Sequence, residues 1–522
     1  MPSPTALRRP AFALLVLSAL AAAPLRASDF NGDGFTDLAI GCRGEMVNGF
    51  QEAGAVHVLY GGSDAFATLT EQVLTELSFG NPLDEFELFG LTVEGGDFNA
   101  DGFDDLAICA GNEDVSGLQA AGTVFVAYGE KSGLVPDPLA VFNQDTKGIK
   151  DKVEPGAFFF EDLSAEQFGR TMAAGDFNAD GFDDLALYVV ETFGSKKKPK
   201  SYAGAIHVLK GSEDGLTTKG NKFIHQNKPG IPGSQVADGN FGWALAVADF
   251  DQDGIDDLVI GAPGELVEGT VTILRGKAKK GLTGKKSILI DETAMGGTPN
   301  PAKAHHFGYA LAVGAFSGGG GQLAIGAPEL DVDGVEYAGG VYVTAIAPGD
   351  LALSSTQLVT RATPGLQGGL HDVAGFGFSL AAGDFDADGR DDLAVGCPYD
   401  LVGTFDDAGS VTVLTGSETG LFGASLLLHE DVEDVPDAAE QGDQFGDALA
   451  AADYDADGDA DLVIGASAET ISGVGNAGGV LVLEGDATEL LDVSQSHWLD
   501  KSLAGIAGAP GSNDRFGSAL GN

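Results

Sequence analysis

The sequence lacks the features that would indicate a disulfide scaffold, a nucleic-acid surface or a membrane protein. Only three cysteines occur among 522 residues, an odd number too small for a disulfide framework, and we expect them to be small buried residues. Lysine and arginine number 28 against 78 aspartate and glutamate residues, giving a formal net charge of −50. So acidic a surface makes nucleic acid and anionic membranes poor partners.

Long apolar stretches are also absent, apart from one near the N-terminus. The run Ala11 to Ala23 follows Arg8 and Arg9 and is shorter than the roughly 20 residues that span a bilayer. Basic residues, an apolar run and then small residues are the layout of a secretory signal peptide. We therefore assign residues 1–27 to a signal peptide and residues 28–522 to a single exported domain, secreted or at the cell surface, without a transmembrane segment.

Motifs of common hydrolases are missing as well. The sequence contains no Gly-x-Ser-x-Gly and no His-Glu-x-x-His, and its eight histidines are scattered. We assign no catalytic residue.

An acidic pattern recurs along the chain, first as DFNGDGFTDLAIG. Its copies start at Asp29, Asp97, Asp176, Asp249, Asp384 and Asp453. A further copy, AFSGGGGQLAIG from Ala315, keeps the frame but has lost the acidic residues and one position. Regular self-similarity of this kind is the signature of a repeat architecture, here with seven units.

Each unit contains four segments with the character of strands. Phe-Gly followed by small apolar residues precedes each loop from the second onward, and Leu-Ala-Ile-Gly or a variant follows the loop. A third segment shows the two-residue alternation of a strand, as in AGAVHVLYG from Ala53, and a weaker fourth segment completes the unit. Short strands, glycine-rich turns and no helical period predict an all-β protein, a seven-bladed propeller of four-stranded blades.

The first unit has no Phe-Gly strand of its own, whereas one stands in excess at Phe516-Gly517. We predict that the C-terminal segment Phe516 to Leu520 completes the N-terminal blade, which begins at Asp29. Such closure of the ring would remove two otherwise open sheet edges.

The acidic loops have the donor pattern of a cation site. Oxygen-bearing side chains stand at positions 1, 3, 5 and 9, and position 6 is glycine, which permits a sharp reversal. Ca²⁺ takes six or more oxygen ligands, and the backbone carbonyl of position 7 would supply another. The bidentate glutamate of an EF-hand is absent, because position 12 is apolar in these copies. A polar turn without metal is the alternative, but each loop would then hold three or four mutually repelling carboxylates.

We therefore predict about six Ca²⁺ sites, each formed by positions 1, 3, 5, 7 and 9 of one loop. The predicted ligands are Asp29, Asn31, Asp33, Phe35 and Asp37; Asp97, Asn99, Asp101, Phe103 and Asp105; Asp176, Asn178, Asp180, Phe182 and Asp184; Asp249, Asp251, Asp253, Ile255 and Asp257; Asp384, Asp386, Asp388, Arg390 and Asp392; and Asp453, Asp455, Asp457, Asp459 and Asp461. The loop from Ala315 is predicted to bind none.

These residues carry a family resemblance. Phe-Gly, then Asp-x-Asn/Asp-x-Asp-Gly-x-x-Asp-Leu, then Gly-Ala-Pro at 261–263 and 326–328 resemble the FG-GAP repeats of the integrin α-chain propeller. The resemblance implies that the Ca²⁺ loops are structural and lie on the lower face of the ring. It also implies that a protein or polysaccharide ligand binds the upper face, on the loops after each second strand or before each Phe-Gly.

The predicted function is that of a calcium-stabilised binding or adhesion module outside the cell. The alternative is a secreted hydrolase or a subunit of one, because phospholipases D specific for glycosylphosphatidylinositol also carry FG-GAP repeats. We favour binding because catalysis in those enzymes belongs to a separate domain. A basic insert, KKKPK at residues 196–200, lies between the second and third strands of the third unit. It is either a solvated mobile loop or a docking point for an acidic partner or polysaccharide.

Overall fold

Seven four-stranded antiparallel sheets form a ring in the computed structural model, which describes residues 28–521 except 119, 151–167, 196–197, 299–302, 320, 422–424 and 489. The fold is the predicted seven-bladed β-propeller. Within the described residues the helical structure is one 3₁₀ turn, Glu76–Phe79. No helix in this part of the chain has the length and apolar character needed to cross a membrane. The signal-peptide prediction falls on residues 1–27, outside the described residues.

The strands are numbered in chain order, and those of each blade run outward from the axis in the following order. Blade 1 contains β30 (Ala519–Gly521), β1 (Leu38–Cys42), β2 (Ala55–Leu59) and β3 (Glu71–Leu74); blade 2 contains β4 (Phe89–Gly96), β5 (Asp105–Ala110), β6 (Thr123–Tyr128) and β7 (Val135–Phe142). Blade 3 contains β8 (Met172–Gly175), β9 (Asp184–Val189), β12 (Ala205–Lys210) and β13 (Thr217–Ile224); blade 4 contains β14 (Leu245–Ala248), β15 (Asp257–Ala262), β16 (Thr270–Arg275) and β17 (Thr283–Ile290). Blade 5 contains β18 (Leu311–Gly314), β19 (Gln322–Ala327), β20 (Gly340–Ala347) and β21 (Ala352–Val359); blade 6 contains β22 (Leu380–Gly383), β23 (Asp392–Cys397), β24 (Ser410–Leu414) and β25 (Ser425–Leu428); blade 7 contains β26 (Leu449–Ala452), β27 (Asp461–Ala466), β28 (Gly479–Asp486) and β29 (Leu490–Leu499).

The innermost strands line the axis and are built from small residues. β8 reads MAAG, β14 LAVA, β22 LAAG and β26 LAAA. Each innermost strand contacts those of the blades on either side, so bulky side chains would hold the strands apart. A Cβ atom added at Gly96, the last residue of β4, would lie 2.8 Å from the Ala174 Cβ of the next blade. Glycine therefore ends this strand where the blades approach most closely.

Each Phe-Gly pair joins two blades. Its phenylalanine is fully buried in all seven copies and packs against the third strand of the preceding blade, as Phe241 does with Ile206. The glycine that follows has a φ between 85° and 115°, a conformation that glycine adopts at little cost. A Cβ atom at Gly242 would lie 2.6 Å from the Tyr188 ring, so both the backbone angle and the space require glycine.

A second aromatic side chain crosses each interface in the other direction. Position 2 of every loop is Phe or Tyr, at most 3% exposed, and it packs against the following blade, as Phe177 does with Leu258 and Ile260. This role was not predicted from the sequence. Since burying one such side chain contributes about 1.5–3 kcal/mol, the two aromatic residues are a large part of each interface.

The ring closes as predicted. β30 pairs antiparallel with β1, with Leu520 opposite Ile40. Phe516 packs with Val480 and Val482 of blade 7. The last strand of the chain therefore completes blade 1 and covers the inner edge of β1.

The basic insert forms a small hairpin outside the blades. β10 (Phe193–Ser195) pairs with β11 (Lys198–Lys200), and Lys200 Nζ donates a hydrogen bond to the Gln235 carbonyl at 2.6 Å. Residues 196 and 197 lie outside the described residues.

Deleting residues 510–522 removes Phe516 and β30, and we expect a marked fall in the thermal midpoint measured by calorimetry. The single substitution Phe516→Ala should cost about 3–5 kcal/mol, the usual loss for a buried phenylalanine. Phe50→Ala is the matched control, because Phe50 is 37% exposed and its loss should change stability by about 0.5 kcal/mol. Unchanged midpoints for both the deletion and Phe516→Ala would contradict closure through this strand.

Candidate metal centres and the opposite face

Each acidic loop folds around its own first residue. In all six, the position 1 carboxylate accepts hydrogen bonds from the backbone N–H groups of positions 5 and 6, at 2.8–3.2 Å. Glycine at position 6 has a φ between 82° and 106°, which gives the expected reversal. The position 3 side chain accepts the N–H of position 5 in five loops. In the third loop Asn178 instead donates to Asp184 Oδ2 at 3.0 Å.

The position 9 aspartates are buried beneath the loops. Their exposure is at most 1%, and one oxygen of each accepts an N–H from a glycine at or just beyond the end of the third strand, at 2.8–3.2 Å. Burial is the largest cause of their raised pKa values, and neighbouring aspartates of the same loop contribute in all six. The pKa is about 6 for Asp184, about 7 for Asp37 and Asp257, and about 8 for Asp105, Asp392 and Asp461.

Positions 1, 3 and 9 come together, whereas position 5 lies at the exposed rim. One oxygen each of Asp249, Asp251 and Asp257 lie within 4.8 Å of one another, and the equivalent residues of the sixth unit do the same. The position 5 carboxylate accepts the N–H of position 7, as Asp33 does from Phe35 at 3.1 Å. The chain reversal that begins at the position 6 glycine is therefore completed at position 7.

The residues present fit a hard divalent cation. All donors are oxygens, and those of positions 1, 3 and 9 are close together, as Ca²⁺ requires. Asp257 Oδ2 is buried and has no hydrogen-bond partner. Carboxylate oxygens that already accept one N–H retain a second lone pair for a ligand.

The loops differ in ways that sequence spacing did not reveal. Arg275, at the end of β16, forms an ion pair with Asp251 and so places a protein cation beside the fourth loop. Arg390 pairs with Asp388 at 2.7 Å. In the last loop, burial and the adjacent Asp457 raise the pKa of Asp459 to about 7.

A further acidic residue links neighbouring loops. Position 8 is Asp in four units, and its carboxylate accepts the position 1 N–H of the preceding blade's loop. Asp104 accepts from Asp29 at 2.9 Å, for example, and its own N–H donates to the Asp29 carbonyl at 3.2 Å. The Asp-Asp doublet at positions 8 and 9 was the available sequence signal for this contact.

The loop from Ala315 keeps its shape without acidic residues. Gln322 replaces the position 9 aspartate, and its Oε1 accepts the Ser317 N–H and hydroxyl at 2.7 and 2.8 Å. A neutral amide thus replaces the buried carboxylate. The Ala315 N–H still donates to Asp391 of the next blade, at 2.6 Å.

The cysteines are buried and free. Burial raises the pKa of the Cys109 and Cys397 thiols to about 12, so the reactive thiolate is disfavoured. His57 is fully buried between Glu45 and Glu71, with nitrogen–oxygen distances of 2.9 and 2.6 Å.

The face opposite the acidic loops carries an arc of aromatic residues. In blades 4, 5 and 6 the residue after the Phe-Gly pair is aromatic and meets its equivalent in the next blade: Trp243 lies 5.4 Å from Tyr309, which lies 5.0 Å from Phe378, between ring centroids. The Arg170 guanidinium lies 4.3 Å from the Trp243 ring centre. Tyr399 extends the arc at 5.6 Å from Phe378.

A cleft of about 310 Å³ lies beside this arc, between blades 5 and 6. Its walls come from both of the loop sets that the resemblance singled out. The lining residues are Tyr309, Pro328, Glu329, Tyr337, Val373, Gly375, Phe378 and Tyr399.

Protein freed of metal should lose stability as pH rises from about 4 to about 8. The position 9 carboxyls have raised pKa values in the folded chain, so their protonated form favours folding and that stability is lost as they ionise. We expect the thermal midpoint in metal-free buffer to be lower at pH 8.5 than at pH 5, and Ca²⁺ to reduce the difference. Asp392→Asn should weaken the dependence, whereas Asp145→Asn, at an exposed site, should not. A flat profile without metal would contradict this account.

Comparison with known proteins agrees with the repeat assignment. The FG-GAP repeat family matches residues 25–59, 89–126, 168–209, 241–274, 376–414 and 445–483. The unit that these matches omit contains the acid-poor loop. Phosphatidylinositol-glycan-specific phospholipase D of Homo sapiens is 27% identical over 469 residues, covering 83% of this chain and 50% of that protein.

Two further relatives match shorter segments. The Rattus norvegicus phospholipase of the same name is 30% identical over 39% of this chain and 22% of its own length. Integrin alpha-5 of Xenopus laevis is 30% identical over 45% of this chain and 20% of its own length. The matched segments thus span a fifth to a half of these relatives. With six matched repeats and seven four-stranded blades, the chain is an FG-GAP repeat protein whose β-propeller resembles that of integrin α chains.

Proposed function

We propose that this chain is an exported, calcium-stabilised binding module that recognises a protein or polysaccharide on the face opposite its acidic loops. The cleft between blades 5 and 6 carries the proposal. It joins aromatic surface to loops from two blades, and ligand sites commonly combine an apolar wall with a few polar groups.

Calcium has a structural role in this proposal. Positions 1, 3, 5 and 9 would hold the ion with side-chain oxygens and position 7 with its carbonyl, and the ion would supply positive charge among repelling carboxylates. An ion that binds only the folded ring adds about 2.7 kcal/mol per site at a hundredfold excess over Kd. Several such sites would add a substantial fraction of the roughly 5–15 kcal/mol that is typical of a whole domain.

A location outside the cell suits both the acidic surface and the calcium requirement. The named relatives include integrin α chains, which supports adhesion as the form of binding. The basic hairpin that ends at Lys200 offers a second contact for an acidic partner.

A hydrolytic role is the second candidate, supported by the alignment of 83% of this chain with the human phospholipase D. In this version the propeller serves a hydrolase as a subunit or domain. Release of a glycosylphosphatidylinositol-anchored reporter from vesicles by the purified chain would support it, and absence of release would favour binding alone.

Asp253→Ala with Asp257→Ala should remove one Ca²⁺ per chain and lower the thermal midpoint, because positions 5 and 9 of one loop lose their carboxylates. In metal analysis of the reloaded wild-type protein, the acidic loops should account for about six bound ions per chain. Ser317→Ala, in the acid-poor loop, is the control and should leave the count unchanged. A metal count near zero for the wild type would refute the cation assignment.

Tyr399→Ala and Phe378→Ala should reduce retention on a polysaccharide and peptide array at least tenfold while leaving the calcium count unchanged. The Asp253→Ala and Asp257→Ala variant should lose binding only in proportion to its lower thermal midpoint. If its binding vanished with an unchanged midpoint and calcium count, the acidic loops would themselves be the ligand surface.

A further inference from the structure

Three repeat positions meet at the interfaces between blades on the face opposite the acidic loops. Position A lies two residues beyond each fourth strand, position B two residues before each Phe-Gly pair, and position C three residues beyond most second strands. Position A belongs to one blade, whereas B and C belong to the next. Their side chains therefore connect neighbouring blades.

At four of these interfaces the acidic residues have a protein partner. Lys501 at A bonds Glu45 at C and Asp514 at B, at 2.9 and 2.8 Å. The other three sets are Gln226 with Glu265, Glu292 with His305 at 2.8 Å, and Arg361 with Asp400 at 2.9 Å. Each set includes a cationic group, a histidine or an amide donor. The interface between blades 2 and 3 includes residue 166, outside the described residues.

The two remaining interfaces carry three carboxylates each. Between blades 1 and 2 the residues are Glu76 at A, Glu87 at B and Glu113 at C; between blades 6 and 7 they are Glu430, Asp443 and Glu469. One oxygen from each member lies within 4.8 Å of the others in its cluster. All are buried except Glu113, which is half-buried.

Several of these buried oxygens have no partner. Both carboxylate oxygens of Glu430 lack a hydrogen-bond partner although the residue is 2% exposed, and so does Glu469 Oε2 at 1% exposure. In the blade 1–2 cluster, Glu76 Oε1 and Glu87 Oε2 are likewise without partners. Asn81 donates there to Glu76 and Glu113, at 2.8 and 3.2 Å.

None of the six carboxylates forms an ion pair with a lysine, arginine or histidine in the described part of the chain. Buried carboxylates this close need protons or a cation, because unpaired buried charge is costly. A donor set made only of oxygens selects hard divalent ions, and its irregular arrangement suits Ca²⁺ better than the strictly octahedral Mg²⁺.

We propose that two further Ca²⁺ ions bind on this face, one held by Glu76, Glu87 and Glu113 and the other by Glu430, Asp443 and Glu469. Each ion supplies the positive charge that these carboxylates lack, at the place where a side chain at position A or B supplies a donor at four other interfaces; in the blade 1–2 cluster the neutral Asn81 amide adds two hydrogen bonds but no charge. It ties the end of one blade to two loops of the next. The loops before Phe-Gly and after the second strand, which form the proposed ligand face, are therefore fixed by calcium at these two interfaces.

The test is calcium stoichiometry by equilibrium dialysis of the full chain. Glu430→Gln with Glu469→Gln, and separately Glu76→Gln with Glu87→Gln, should each bind one Ca²⁺ fewer than wild type. Glu433→Gln and Glu85→Gln make the same chemical change at exposed neighbours and should lose none. The loss should add to that of the Asp253→Ala and Asp257→Ala variant, which separates these sites from the acidic loops.

A second variant, Glu430→Lys, introduces the lysine found at the equivalent position 501. It should bind one ion fewer and, in chelator, melt above wild type, because the ammonium group supplies the missing positive charge. Folding of every variant is checked by circular dichroism. Unchanged calcium counts in folded Gln variants would overturn the proposal and identify the clusters as carboxyls that share protons.

Discussion

The contact between neighbouring blades is the constraint on which this structure depends. A four-stranded sheet has two faces to bury, and in a ring each can be covered only by the next sheet. Two aromatic residues cross every interface, one from the Phe-Gly pair and one from position 2 of the acidic loop. Because the seventh interface must form as well, the chain returns its last strand, β30, to the first blade.

The repeat made the architecture predictable from the sequence, whereas contacts between repeats were harder to see. Strand alternation, Phe-Gly spacing and the surplus Phe516 define blades and closure within short windows. Phe30 stood within a polar loop and gave no sign of burial, and Asp104 meets its partner 75 residues away. Arg275 reaches Asp251 only because the third strand ends beside the loop. The predicted ligand positions of the loops, by contrast, lie within nine consecutive residues, so the sequence alone could name them as candidates.

The whole chain has an excess of 50 negative charges, and local contacts compensate many of the acidic residues individually. Acidic residues on the lower face meet backbone N–H groups and one another, and on the upper face several meet lysine, arginine or histidine across the interface between blades. Side chains of different chemical type thus occupy the same structural position in different blades. This variation gives an otherwise repetitive ring distinguishable interfaces, a form of specificity that uniform repeats lack.

Blade 5 makes one position around the ring distinguishable from the other six. It contains the loop in which Gln322 replaces a carboxylate, and its other end contributes Tyr309 and Tyr337 to the cleft. A ring of seven identical blades would present seven equivalent surfaces to a binding partner. Blade 5 differs from the other blades on both faces, and the turn between its first two strands is held by an amide, whose charge does not vary with cation concentration or pH. The blade that lines half of the cleft is therefore the one whose turn on the acidic-loop face needs neither a cation nor a proton to neutralise a carboxylate.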